Sequence, residues 1–317
     1  AKEINVGLDY SLLDNRINGS INVYQRDNEN LLLNRPLPLD SGYGSITQNV
    51  GQVRNQGLEI DFESVNISTN DFVWSTRFNF SVSKNEVLEL NEGQEQLGSG
   101  SQPIAVGHSI NAWNVPNWAG VNPADGRPMW YDANGEITYQ PLNADRKWND
   151  GGEQDVLAGL GTNLQYKGLT LDVFFQGSYG QTAFPAQFWY FLQTPSFGTN
   201  ASTSVLRRWQ EPGQVTDIPR QVVGDSPGGT ANWRTTLSSQ AIFDASYIRL
   251  KTVRLGYNLP SSLTDKVGLR NVRLYVVGNN LYTWTSWPSL DPEVAGSSTQ
   301  ASYPNAVQIN GGIEVQF

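Results

Sequence analysis

Apolar and polar residues alternate with a period of two along most of this chain. Near the start, polar residues and a glycine separate Ile4, Val6, Leu8 and Tyr10. The same alternation returns at 17–23, 58–63, 72–82, 158–166, 169–179, 248–257, 272–281 and 307–317. Such alternation is typical of strands with one apolar and one polar face, and no stretch has a clear helical period. The pattern therefore predicts an all-β chain of about nine strands.

The connections between these strands are short and long in turn. The short ones fall at 11–15, 66–71, 167–168 and 260–270, and the long ones at 27–56, 91–155, 181–242 and 286–305. A compact soluble domain rarely contains one unstructured loop of this length. An outer-membrane barrel combines short periplasmic turns with long extracellular loops, and strands of about ten residues cross a bilayer when they are tilted. The sequence therefore predicts an antiparallel transmembrane β-barrel.

A soluble β-sandwich or jelly roll is the alternative, because its strands alternate in the same way. Charged residues are confined mainly to one face, as a watery lumen requires, and every second connection is long, which favours the barrel. With the long loops outside, the first and last strands both run towards the periplasm, so the number of strands is odd. An odd number cannot close in the even pattern of bacterial barrels. We therefore expect residues 1–317 to form only part of a barrel wall.

Composition excludes several classes of function. Asp and Glu number 30 against 21 Lys and Arg, a net charge of −9, which disfavours a nucleic-acid partner. The chain has no Cys, so it has no thiolate metal site and no cysteine nucleophile. Its one histidine, His108, stands in a glycine-containing loop without an arranged Asp or Ser. We expect no enzyme activity, no cofactor and no metal. The longest apolar runs are too short for a transmembrane helix.

Several motifs occur in a fixed order along the chain. One is the Asn-x-Gly-x-x-x-Asn-x-Gly-x-Glu pattern that ends at Glu59, and another is the Asp-Pro-Glu triplet that begins at Asp291. The others lie at 120–128, 131–135, 244–251, 255–260 and 278–285. Together, and at this spacing, they resemble the SusC/RagA family of TonB-dependent outer membrane transporters.

The resemblance implies a barrel of about 22 strands with an internal plug, in the outer membrane of a Gram-negative bacterium of the Bacteroidota type. Such importers take up glycan or peptide fragments together with a SusD-like lipoprotein and are energised by the TonB complex. Residues 1–317 would be the last nine strands, the C-terminal part of the barrel domain. The plug domain, the N-terminal strands and the segment that contacts TonB would lie outside them. Outer membrane lipid would surround the wall.

The last strand carries a predicted assembly signal. Its apolar positions include Ile313, Val315 and the terminal Phe317. In outer-membrane proteins, a final strand of this kind resembles the signal that the barrel assembly machinery reads by edge pairing. An ordinary last strand is the alternative. This strand also suggests a different function for the chain, as a half-barrel client held by that machinery. A soluble glycan-binding β-sandwich and an unplugged porin are further alternatives.

Aromatic residues crowd the long connections. Their rings can stack on the apolar faces of sugars, while neighbouring amides and carboxylates bind hydroxyl groups. We therefore predict substrate contacts from a set of seven: Trp113, Trp118, Trp130, Tyr131, Trp189, Tyr190 and Trp233. The alternative is that these residues pack the loops together or contact the lipoprotein, since Trp and Tyr are also enriched at interfaces.

Two charged groups lie on the predicted strands. Glu59, Asp61 and Glu63 occupy alternate positions on one face, where we expect solvated lumen carboxylates and not a glycosidase pair. Arg249 and Lys251 flank a change in the alternation. A β-bulge or a lumen-facing basic pair that contacts the plug would each explain this change.

Overall fold

In the described parts of the chain, nine long strands form a single antiparallel sheet in chain order. The computed structural model describes residues 1–37, 39–49, 51–90, 93–186, 201–221, 236–294 and 303–316. The strands are β1 (Lys2–Leu12), β2 (Ile17–Glu29), β3 (Gln52–Ser68), β4 (Phe72–Glu89), β5 (Val156–Tyr166), β6 (Leu169–Tyr179), β7 (Tyr247–Asn258), β8 (Asn271–Thr285) and β9 (Gln308–Gln316). The predicted all-β class and number of strands are confirmed.

The register aligns apolar residues of neighbouring strands on one face. Ile60 of β3 pairs with Ile21 of β2 and with Phe80 of β4, and Phe80 pairs in turn with Ala158 of β5. Large side chains on this face are exposed, among them Ile309 with 71% of its surface accessible. Within the described ranges no second sheet of comparable size covers this face, as a β-sandwich would require.

The alternation of short and long connections is confirmed. The short ones are residues 13–16, 69–71, 167–168 and 259–270, and the long ones are residues 30–51, 90–155, 180–246 and 286–307. Lys167 begins the two-residue turn with a φ of 51°, the left-handed conformation that tight hairpins use. The last short connection contains the helix α1 (Ser261–Thr264) followed by a 3₁₀ turn at Asp265–Val267.

The long connections contain short strands of their own. A four-stranded sheet lies in the second long connection, in the order Ile137–Thr138, Pro128–Tyr131, Trp113–Val121 and Arg146–Asn149. Strand pairs join Leu32–Pro36 to Ser45–Asn49, Gln96–Leu97 to Ile104–Ala105, and Thr182–Ala183 to Phe243–Asp244. The 3₁₀ turns of these connections are Leu39–Ser41, Asn143–Asp145, Thr203–Arg207, Ser239–Ala241 and Pro292–Val294.

A β-bulge interrupts β7. The register with β8 shifts between Leu250 and Thr252, and the register with β6 shifts between Phe174 and Phe175. The extra residue is Lys251, the position where the sequence pattern changes its alternation. Beyond the bulge, Val253 lies opposite Val173 of β6, so the apolar face continues across the irregularity.

The sheet is open at both sides. Among the described residues β1 pairs only with β2, and β9 pairs only with β8. Two rows of backbone hydrogen-bonding groups are therefore unpaired along the outer edges of the sheet.

In the described parts of the chain, no helix is long and apolar enough to span a membrane.

Candidate functional site

The second and third long connections share a hydrophobic core, which we call the loop core. Trp113 and Trp130 come from the second connection, and Phe184, Ala186, Ile218 and Ala241 come from the third. The indole nitrogen of Trp113 donates to the carbonyl of Thr182 at 3.2 Å, which joins the two connections again. Because both connections contribute to one core, neither can keep this conformation alone.

A tight turn at 122–127 joins Trp113–Val121 to Pro128–Tyr131, the two central strands of the four-stranded sheet in the second long connection. Asn122 Oδ1 accepts the amide of Ala124 at 2.9 Å, and Asp125 accepts the amide and the guanidinium of Arg127 at 3.1 and 2.7 Å. Burial opposes the ionisation of Asp125, but the hydrogen bonds from Arg127 outweigh burial and hold the pKa of Asp125 below its ordinary value. The family motif at 120–128 therefore encodes a hairpin turn.

Trp209 of the third connection packs on this turn. Its indole nitrogen donates to the carbonyl of Pro123 at 2.9 Å. Gly126 has a φ of 72°, and a Cβ atom there would lie 2.4 Å from the Trp209 ring. Only glycine allows both this conformation and this contact. The turn and the third connection are thus fitted to each other.

The aromatic residues predicted to bind substrate occupy different environments. Trp113 and Trp130 are 2% and 0% exposed, so their rings are covered by the loop core. Trp118 packs edge-on against Trp130 with a centroid distance of 5.6 Å and is half-buried, as is Tyr131. Burial supports the packing alternative for Trp113 and Trp130. The substrate contacts of the set stay a prediction, and Trp189, Tyr190 and Trp233 lie outside the described residues.

Sequence reasoning missed a buried ion-pair cluster, here called the clamp, that ties the last long connection to the wall. The Arg249 guanidinium donates to the carboxylates of Asp291 and Glu293, and Lys251 Nζ lies 2.8 Å from Glu293 Oε1. Arg249 also donates from Nε to the Thr283 hydroxyl at 2.9 Å. The side chains of Arg249 and Asp291 are each 3% exposed. The basic pair around the bulge therefore contacts the Asp-Pro-Glu motif.

Backbone amides complete the clamp. Asp291 accepts the amides of Asn305 and Glu293 at 2.8 and 3.0 Å. Burial opposes the ionisation of Asp291, but the hydrogen bonds from Arg249 and from these amides outweigh it, so the pKa of Asp291 lies below its ordinary value. The sequence did contain a signal for the clamp, since the Asp-Pro-Glu motif and the break in the alternation near Lys251 were both visible. Their contact was not, because 42 residues separate Arg249 from Asp291.

The predicted lumen carboxylates lie on the polar face of the sheet. Glu59, Asp61 and Glu63 are exposed, and each stands opposite a polar or basic residue of β4. Within the described ranges, no group of three or more His, Asp or Glu side chains is arranged to hold a metal ion. His108 stacks on Trp148 with a centroid distance of 4.1 Å, and its Nδ1 lies 3.0 Å from Asp150.

The predicted assembly signal lies on an open edge of the sheet. Ile313 pairs with Leu274 of β8 and Val315 pairs with Val272, and both apolar side chains are exposed. Phe317 lies outside the described residues. The backbone of β9 is free on the side away from β8 within the described part of the chain.

No protein-family model matches the chain. Individual known proteins, however, match it from end to end. TonB-dependent receptor P3 of Formosa agariphila is 33% identical over 355 residues, which cover 100% of this chain and 34% of the receptor. TonB-dependent receptor SusC of Bacteroides thetaiotaomicron is 27% identical and is covered over 31% of its length. The chain spans about a third of the length of these relatives.

Solved structures give the same result for the fold. The structure of the RagAB peptide transporter superposes with a TM-score of 0.87 at 25% identity, over 99% of this chain and 35% of that chain. The closed-closed state of the RagAB peptide importer gives a TM-score of 0.86 at 26% identity. These matches confirm the resemblance that the motifs indicated. Over its whole length, therefore, the chain is similar to part of several TonB-dependent receptors, SusC among them.

Proposed function

We propose that the chain forms part of the wall and the outer loops of a TonB-dependent nutrient importer of the SusC type. The match along the whole chain to TonB-dependent receptors carries this proposal. Its sheet is suited to such a wall, because one face is apolar and exposed while the other is polar. An exposed apolar face of this extent needs an apolar environment, which outer membrane lipid would supply.

The two open edges support a larger barrel. Unpaired backbone groups in hydrocarbon cost several kcal/mol each, so strands beyond β1 and β9 would have to cover them. We propose that residues 1–317 are the C-terminal part of a transmembrane barrel domain of about 22 strands. The long connections would then face the outside and the short ones the periplasm.

The cargo in this proposal is a glycan or peptide fragment. The solved relatives are described as a peptide transporter and a peptide importer. A SusD-like lipoprotein would cover the outer loops and the TonB complex would supply energy. The chain would bind and pass its cargo without converting it chemically. Trp118 and Tyr131 are the proposed contacts among the described aromatics, together with Trp189, Tyr190 and Trp233, while Trp113 and Trp130 hold the loops beneath them.

Labelling of single cysteines tests the orientation. Residues 1–317 contain no Cys, and the protein without an introduced cysteine serves as the blank for labelling anywhere else in the molecule. We expect Val215→Cys in a long connection to react with a membrane-impermeant maleimide in intact cells, since Val215 is 87% exposed. Arg270→Cys in a short connection should react only after the outer membrane is opened. Equal labelling of both in intact cells would contradict the barrel.

Uptake tests the import function itself. Cells with and without the protein are given dye-labelled mixtures of oligosaccharides and of oligopeptides. We expect uptake of at least one mixture to require both the protein and the proton gradient that drives TonB. Uptake that is unchanged when the protein is deleted would contradict the proposal.

The open edge of β9 favours a second candidate, a half-barrel held by the barrel assembly machinery. Edge pairing would extend the sheet through the free backbone groups of β9. Photo-crosslinkers at Gln308 and at Gln316 should then capture the assembly machinery at steady state. Capture that occurs only during a pulse of synthesis would assign this contact to biogenesis.

A further inference from the structure

Two adjoining grooves cross the apolar face of the sheet on the side of the long connections. The first, of about 500 Å³, lies on β1–β4, and the second, of about 370 Å³, lies on β5–β8. They meet where Val82 of β4, which lines the first groove, pairs with Val156 of β5, which lines the second. We call the two grooves together the outer trough.

Short side chains in register form the floor of the first groove. Successive strands place four of them in one row: Val6, Val23, Leu58 and Val82. The next row of this face towards the short connections carries longer side chains and reaches Phe80 on β4. Because side chains directly opposite each other stand side by side on a sheet, a row of short ones leaves a depression across the strands.

The second groove is formed by the absence of side chains. Ala158 pairs with Gly177, and this small pair lies between Phe80 on one side and Ile248 on the other. Trp284 of β8 lies opposite Ile248 and lines the far end of the groove with an exposed indole. Aromatic rings of this kind mark the interface between lipid tails and headgroups.

Among the described residues, a single charged side chain lines the outer trough. Lys84 is the next residue after Val82 on the same face of β4, and it lies opposite Gln56. Its ammonium group contacts Glu86 at 3.0 Å, and the two side chains are 65% and 32% exposed. An exposed pair of this kind contributes less than about 1 kcal/mol. Lys84 can therefore exchange this partner for a more strongly charged anion.

Beyond Lys84 the same face of the wall is polar. Gln25 of β2 pairs with Gln56 of β3 next to the trough. One residue pair further out, Arg54 donates from Nε and Nη2 to the two carboxylate oxygens of Asp27, at 2.8 Å each. Such amides and charged groups form hydrogen bonds with sugar hydroxyls, which acyl chains do not. From the trough outwards, the wall thus offers an apolar surface, a cation and then polar groups.

We propose that the outer trough binds a phosphorylated glycolipid of the outer leaflet. Its phosphate would contact Lys84, its first methylene groups would lie in the grooves, and its sugars would contact the polar side chains beyond. This inference rests on the proposed transmembrane wall, in which the long connections face the outside and the apolar face meets lipid. A plug in the lumen or a lid over the outer loops leaves that face uncovered.

The test compares lipids that differ in one group. The protein is purified in detergent from its native membrane fraction, with whatever subunits accompany it, and lipid binding is measured by native mass spectrometry. The probes are monophosphoryl lipid A, the same lipid without its phosphate, and phosphatidylglycerol. We expect the phosphate to tighten binding about tenfold, the effect of one charge-assisted hydrogen bond. Phosphatidylglycerol, which lacks the sugars, should bind more weakly than monophosphoryl lipid A.

A matched pair of variants locates the phosphate. Lys84→Gln should remove most of the preference for the phosphorylated lipid. Lys2→Gln makes the same change of charge on the same face, where Lys2 pairs with Glu29 outside the trough, and should leave the preference intact. Far-ultraviolet circular dichroism checks that each variant folds.

A second pair locates the acyl chains. Gly177→Leu should fill the second groove and weaken binding of lipid A with and without phosphate. The wall has room for this change, because a Cβ atom at Gly177 would lie 3.5 Å from the Tyr247 carbonyl oxygen and 3.7 Å from Ile248 Cγ1. Gly311→Leu is the control on the same face of β9, where the nearest atom, the Tyr275 carbonyl oxygen, would lie 3.8 Å away.

Three results would overturn the inference. The first is equal affinity of the unaltered protein for lipid A with and without phosphate, and the second is equal or tighter binding of phosphatidylglycerol. The third is an equal effect of both members of either pair of variants, since binding would then not depend on the trough. None of these results contradicts the proposed import function, which depends on the separate uptake assay.

Discussion

Arg249 occupies an environment that a charged side chain avoids unless it is fully paired. It is 3% exposed and its donors are satisfied by Asp291, Glu293 and Thr283. Removing one partner from such a cluster leaves uncompensated buried charge, which is more costly than losing a surface ion pair. The clamp is therefore a sensitive point in the attachment of the last long connection.

Arg249→Met should destabilise this attachment by about 3 kcal/mol, because Asp291 would stay buried without a counter-charge, while Glu293 would keep only its pair with Lys251. Hydrogen exchange of the Asn305 amide, which donates to Asp291, reports the opening. Arg207→Met is the matched control, since its pair with Asp217 is largely exposed and should contribute less than about 1 kcal/mol. Equal protection of Asn305 in both variants would show that the clamp does not hold the connection.

The clamp should also respond to acid. The pKa of Asp291 is lowered in the folded protein, so its contribution is complete above the ordinary pKa of about 4. That contribution is lost as the pH falls through the lowered folded value. We expect the Asn305 amide to keep its protection from pH 7 to about pH 4 and to lose it below. Asp291→Asn should remove this dependence, and a loss of protection already near pH 6 would contradict it.

At the scale of the element, the bulge at Lys251 keeps the two faces of β7 consistent. Side chains alternate along a strand, so a change of one residue moves all later side chains to the opposite face. The extra residue places Arg249 and Arg254 on the polar face, although their spacing alone would put them on opposite faces.

Deletion of Lys251 should therefore prevent correct assembly. It would turn Val253 and Leu255 towards the lumen and Arg254 towards lipid, where a charge costs from about 1 kcal/mol near the interface to about 2–4 kcal/mol at the middle of the bilayer. We expect little folded protein in the membrane fraction. Lys251→Ala keeps the residue count and loses only the contact with Glu293, so it should assemble normally. Similar yields of the two variants would exclude a role for the register.

At the scale of the whole molecule, the loop core joins connections that are distant in sequence. Trp130→Ala should cost about 3 kcal/mol, because it empties a completely buried site. Ile218 and Ala241 of the third connection belong to the same core, so both connections should lose hydrogen-exchange protection together. Tyr303→Ala is the control, since Tyr303 is 95% exposed and should change nothing. Loss of protection in the second connection alone would show that the two fold independently.

The strands, their two faces and the alternation of connections could all be predicted from the amino-acid sequence. These features are local, because the alternation of side chains along a strand needs no knowledge of its neighbours. The family motifs were visible for the same reason, and the motif at 120–128 forms a turn through contacts with its own backbone. The odd number of strands and the two open edges followed from the number of predicted strands and from the alternation of short and long connections.

Which distant residues meet is visible only in the folded chain. Arg249 contacts Asp291 across 42 residues, and Trp113 and Trp130 pack into one core with Ile218. The path of a long connection and the orientation of a long side chain depend on packing that no local pattern encodes. For this reason the aromatic residues could be identified in the sequence, but their burial could not be predicted from it.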